Sequence, residues 1–88
     1  IKADIEGNEM RLLVGARETI VRFRPRLLVE LNDAHLARAG DTMAGAFALM
    51  AELGYRAFTL GPGGEFRAAV PGGAGDFWFL PADGPGAW

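Results

Sequence analysis

The order of segments in this chain predicts an α/β domain, and three observations carry the prediction. "IKADI" and "RLLVEL" read as strands on either side of a helical pattern, a β-α-β unit of about thirty residues. A second helical pattern runs from Thr42 to Leu53. After it come "YRAFTL", "EFRAAV" and "DFWFLP", short strand candidates separated only by the turn-rich "GPGG" and "PGGAG". Strands this closely spaced, with no helix between them, imply antiparallel pairing at the end of the sheet. The expected order is β-α-β-α-β-β, parallel strands followed by an antiparallel terminal pair.

Each element has a local cause. In Ile1 to Ile5, Ile1, Ala3 and Ile5 share one parity, and Lys2, Asp4 and Glu6 the other. As a strand, this puts the charged side chains on one face or past its end. Gly7 supplies the backbone freedom for a tight turn. Asn8 suits the N-cap of the helix that follows, and Glu9 suits its positive end. Leu13, Ala16, Ile20 and Phe23 then lie near one helical stripe, with Arg11, Arg17, Glu18 and Arg22 mostly elsewhere. Pro25 ends the helix, because the residue before a proline avoids the helical region. Leu27, Leu28, Val29 and Leu31 form an almost continuous apolar run, as expected of a strand covered on both faces. Asn32 to Gly40 reads as a loop with about one helical turn, and His35, the single histidine, as a solvated loop residue. Asp41 is placed to cap a helix with Met43, Phe47, Met50 and Leu53 on one stripe, closed by Gly54. The tail "DGPGAW" lacks periodicity and is expected to be loose.

Composition narrows the function. Half of the 88 residues are hydrophobic and 23% are charged, which suits a globular chain rather than a disordered one. The formal net charge of -2 gives no basic footprint for nucleic acid. No apolar run approaches the ~20 residues that span a membrane. Cysteine is absent, which removes disulfides, thiolate metal sites and cysteine nucleophiles and fits a cytoplasmic protein. Serine is absent too, so no serine nucleophile exists. Neither glycine-rich stretch both follows a strand and opens a helix, so both read as turns rather than phosphate loops. Phe77, Trp78 and Phe79 read as sheet core, with aromatics on both faces of a late strand.

The chemistry-bearing feature is acidic. In an open α/β sheet, ligands bind in the crevice outside the carboxyl ends of the strands. Asp4 and Glu6 end the first strand, and Glu30 and Asp33 lie near the end of the second. Four carboxylates are thus expected at one crevice. They suit a hard divalent cation, charge-assisted hydrogen bonds to the hydroxyls or amines of a substrate, which Glu30 and Asp33 would make, or a general base raised by a like-charged neighbour, the role that fits Asp4 and Glu6. A plain structural account also covers them: Glu6 and Glu9 serve the helix start, Asp4 pairs with Lys2, and Glu30 meets an arginine.

The ordered combination of these residues resembles a known family. "IKADIEGNEMRLLVGARETI" followed by "RPRLLVEL" is similar to the C-terminal half of FkbM-type methyltransferases. The matching positions are Lys2, Asp4, Glu6, Gly7, Glu9, Leu13, Gly15, Ala16, Pro25 and Glu30. The match is close over roughly the first thirty residues; beyond them only the layout agrees. The resemblance implies a seven-stranded Rossmann-like class I methyltransferase sheet, with helices on both faces and its last strand pair inserted antiparallel, Ile1 to Ile5 being the fourth strand and Leu27 to Leu31 the fifth. It also implies S-adenosylmethionine as cofactor, Asp4 and Glu6 beside the methyl donor and acceptor, and a hydroxyl of a small molecule or sugar as the methyl acceptor. In that family the glycine-rich loop and the acidic residue that hold the cofactor lie in the N-terminal half. Residues 1–82 are therefore expected to be the C-terminal part of a methyltransferase domain, with 83–88 as tail, and to bind the cofactor weakly or not at all alone. The alternative is a small α/β binding or self-assembly module, a homodimer pairing through an exposed strand edge.

Overall fold

The computed structural model describes residues 1–3 and 7–82. Asp4, Ile5, Glu6 and the tail from 83 onward lie outside them. The elements run β1 (Lys2–Ala3), α1 (Glu9–Gly15), α2 (Arg17–Phe23), β2 (Leu27–Asn32), α3 (Asp33–Arg38), α4 (Met43–Glu52), β3 (Tyr55–Leu60), β4 (Phe66–Ala68) and β5 (Ala74–Pro81). One five-stranded sheet has the order β1-β2-β5-β3-β4. Only the β1–β2 pair is parallel; β5 lies antiparallel between β2 and β3, and β4 pairs antiparallel with β3. The chain is therefore α/β, as its segment order predicts, but the sheet is mixed and mostly antiparallel. Three strands, rather than a pair, follow the last helix.

The expected first helix occurs as two seven-residue pieces that meet at Ala16. Hydrogen bonds from Ala16 N–H to the Leu12 carbonyl and from Ile20 N–H to the Ala16 carbonyl carry the helical direction across the joint. The interruption follows Gly15, a weak helix former. Glu9, Leu13 and Ile20 bury the inward stripe. Phe23, expected on that stripe, is instead 60% exposed, with the Arg22 guanidinium 5.2 Å from its ring. Asn8 precedes α1 without capping it, and its side-chain oxygen accepts from Arg11 instead.

The helix stops at Phe23, and Arg24 before the proline adopts a left-handed conformation, φ 50. That turn sends the Arg24 guanidinium to the carboxyl end of α4, where it donates to the carbonyls of Leu53 and Gly54. It lies 4.7 Å from the Tyr55 ring, and the Tyr55 hydroxyl donates back to the Pro25 carbonyl at 2.5 Å. A cation at the negative end of a helix, meeting carbonyls that the helix leaves without partners, is a favourable pairing. These contacts tie the start of β2 to the start of β3.

Two further expectations change between Asn32 and Leu53. The loop contains α3, capped by the Asn32 side chain, which accepts from the N–H groups of Ala34 and His35. His35 is thus a half-buried helical residue rather than a solvated loop one. Helix α4 is capped by Thr42, whose hydroxyl oxygen accepts from Gly45 N–H, and not by Asp41. Its inward residues are Met43, Ala46 and Met50, with Phe47 packed against the core, and Gly54 closes it at φ +82.

The core lies between the sheet and one layer of helices, where Ala3, Leu27, Val29, Leu31, Tyr55, Phe77 and Phe79 meet Leu13, Ile20, Leu36, Met43, Ala46 and Met50. Phe47 stands edge to face against Phe77 and Phe79 at 5.2 and 5.5 Å. The expectation that β2 is covered on both faces fails: Leu27, Val29 and Leu31 are buried, Leu28 is half-buried and Glu30 is exposed. The described helices sit on one side only.

Candidate functional site

The parallel pair β1–β2 defines the carboxyl edge where the acids were expected. Lys2 and Ala3 register with Leu28 and Val29, and the Leu28 N–H donates to the Ile1 carbonyl at 2.8 Å. Asp4 and Glu6 follow this strand in sequence and lie outside the described residues. The turn that takes the chain from them into α1 is described. Gly7 has φ +101, and a Cβ there would lie 2.8 Å from the carbonyl carbon of His35, so both conformation and space demand glycine. The N–H of Gly7 donates to the Glu9 carboxylate at 2.9 Å. Glu9 is 1% exposed, so it serves as a buried clasp on the turn and not only as a solvated acid at a helix end. The turn is thereby held against α3, the element that follows β2.

Glu30 and Asp33 do not share a position. Glu30 projects from the exposed face of β2, directly opposite Asp76 of β5. Asp33 is the exposed first residue of α3, and its N–H donates to the Gly73 carbonyl at 3.1 Å. The "PGGAG" stretch thus folds over the carboxyl end of β2, and Gly72 N–H also reaches the Met43 sulfur at 3.0 Å. Sequence reasoning missed Asp76 and this loop as neighbours of the crevice. Only the antiparallel placement of β5 beside β2 reveals them.

What the edge can do is carboxylate chemistry. Side-by-side acids in solvent suit a cationic or hydroxyl-rich ligand, held by charge-assisted hydrogen bonds. Among the described residues, no group of three or more His, Asp or Glu side chains is arranged to hold a metal ion. Two shallow cavities among the described residues have other linings. One, of about 250 Å3, is lined by Arg26, Arg56, Phe58, Phe66, Leu80, Pro81 and Ala82. The other, of about 340 Å3, is lined by Met10, Arg11, Val14, Gly15 and Asp41. No helix among the described residues is long and apolar enough to cross a membrane.

An α/β sheet with a parallel β1–β2 crossover defines a broad class of domains, and fold alone does not name a function within it. Within it, residues 1–57 match the methyltransferase FkbM domain family, well over half of the chain, and the chain belongs to that family. The matched span runs from β1 through α4 into β3 and includes Asp4, Glu6, Glu30, Asp33, the Gly7 turn and the Arg24–Tyr55 clamp. No curated protein and no solved structure matches the chain.

Proposed function

We propose that this chain forms the acceptor-side wall of an S-adenosylmethionine-dependent methyltransferase that acts on a hydroxyl of a small molecule or sugar. Family membership carries the reading. The strand order supports it, since β5 is inserted antiparallel between β2 and β3 as the class I methyltransferase layout requires. S-adenosylmethionine, when bound, supplies an electrophilic methyl on a positively charged sulfur, and a carboxylate-rich edge is chemically suited to that charge. Asp4 and Glu6 are assigned the methyl-transfer centre: one accepts the hydroxyl proton as the acceptor oxygen attacks, while its neighbour raises its basicity. Glu30 and Asp33 are assigned to the acceptor, holding its other hydroxyls so that the reacting oxygen is aligned.

On this reading the chain carries little of the cofactor pocket. Calorimetry with S-adenosylmethionine is expected to give no micromolar binding to this chain alone, and a micromolar heat would overturn that division. Fused behind the glycine-rich half of another family member, the chain is expected to support transfer of a labelled methyl group to a sugar hydroxyl. Asp4→Asn should then lower turnover about 10²- to 10⁴-fold, the usual worth of a general base. Full activity in that variant and in Glu6→Gln would remove both residues from the centre.

A further inference from the structure

Among the described residues the sheet ends at β4, on the side opposite β1, so the outer edge of β4 does not depend on anything that lies beside β1. Hydrogen bonds to β3 fix which backbone groups reach that edge. The Glu65 carbonyl accepts from Gly61 N–H at 2.7 Å, and Ala69 N–H donates to the Ala57 carbonyl at 3.0 Å. Arg67 lies between them in register with Thr59, so residues 65, 67 and 69 face β3. Hydrogen-bonding direction alternates along an antiparallel strand, and Phe66 and Ala68 therefore turn their N–H and C=O groups outward. The Phe66 ring anchors the strand, meeting Phe58 and Trp78 edge to face at 5.9 and 5.7 Å. All three residues of β4 are exposed. A strand edge of this kind is a template for pairing with another chain.

The order of side chains along this edge selects the occupant. Glu65, Phe66 and Arg67 read acid, aromatic, base. Two copies of the edge, brought together antiparallel about a two-fold axis at Phe66, exchange two N–H to C=O hydrogen bonds between their Phe66 residues. Glu65 of each copy then stands opposite Arg67 of the other, and opposite charges directly across two strands attract. An axis at Arg67 would instead set guanidinium against guanidinium and leave Glu65 opposite Ala69. Within one copy the Arg67 guanidinium already lies 2.7 Å from the Glu65 carboxylate, both side chains being exposed. The two charges thus share one face of the strand, where the pair from a second copy completes an alternating ring of four. Charges on an edge strand ordinarily ward off pairing. Here their order makes the edge complementary to itself, as an isologous contact requires.

We propose that this chain forms a two-fold dimer by antiparallel pairing of its β4 edges, centred on Phe66, with Glu65 of each copy opposite Arg67 of the other. A contact this short belongs to the weak class of interfaces, so a Kd of roughly 0.1 to 1 mM is expected. Sedimentation velocity over a micromolar to millimolar series should show the dimer form. In NMR spectra over the same series the amides of Phe66 and Ala68 should shift, and those of Lys2 and Ala3 should not. Glu65→Lys and Arg67→Glu should each raise the Kd about tenfold or more, because each sets like charges opposite one another at two places. Glu65→Arg combined with Arg67→Glu keeps the edge self-complementary and should return the Kd to within about threefold of the parent, on the same conversion. Ala68→Pro fills the free edge without removing a bond to β3, since the lost N–H points outward, and should leave a monomer. Circular dichroism confirms that each variant is folded. A monomeric parent at every concentration overturns the proposal. So does a dimer that persists in Ala68→Pro, ignores both single reversals, is not rescued by the exchange, or moves the amides of β1 instead of those of β4.

Discussion

Tyr55 and Arg24 make the most consequential single-residue contacts in the described chain. The Tyr55 hydroxyl is buried on the Pro25 carbonyl, so Tyr55→Phe leaves that oxygen without its donor while keeping the ring. The expected loss is about 1–2 kcal/mol in urea denaturation, the usual cost of a buried unmade hydrogen bond. An unchanged midpoint would show that water replaces the hydroxyl at no cost. Glu65 offers a test in solvent. Its carboxyl is held below the ordinary value of 4.5, first by its own backbone N–H, then by the Arg67 guanidinium, with a smaller contribution from Gly63 N–H. A carboxylate with a lowered folded-state value adds stability above its unfolded-state value and loses it as pH falls through the folded one. The β3–β4 turn should therefore loosen only in acid, below about 4.5. In an NMR titration Arg67→Met should move the Glu65 value upward; no movement would dismiss the guanidinium as a cause.

Strand β5 and helix α2 show how unevenly elements carry the fold. Strand β5 is central, paired on both sides, and buries Phe77 and Phe79 against Phe47. Phe79→Ala removes a fully buried ring and should cost about 3–5 kcal/mol. For a domain of this size that approaches the whole stability. Phe23→Ala at the exposed end of α2 should change stability by no more than about 0.5 kcal/mol. Equal costs in the two variants would contradict the placement of the core. Helix α4 is a sound local prediction because its stripe needs only its own sequence. The first helix was legible as a stripe, but its joint at Ala16 and the outward turn of Phe23 were not, since Gly15 weakens the helix without announcing a break.

At the scale of the molecule, the sheet and one helical layer make a body 34 × 33 × 18 Å. Two layers suffice for a core, but a sheet that presents aromatics on its second face is stabilised by covering that face.

The sequence by itself determined what depends on near neighbours. The "YRAFTL" strand, the Met43–Met50 stripe, the turn at Gly7, the closure at Gly54 and the motif that marks the family are all set within a few residues, where periodicity and backbone freedom act. Of the candidate site, it identified Gly7 as the turn into the first helix, while Glu30 and Asp33, expected at one crevice, occupy separate positions. Tertiary structure decided what depends on strands meeting across the chain: the insertion of β5 beside β2, the pairing of Glu30 with Asp76, the His35 carbonyl against Gly7, and the open face of β2. Alternation states that a strand has two faces. Which face is covered depends on where distant helices pack, and no local pattern in Leu27 to Leu31 contains that information.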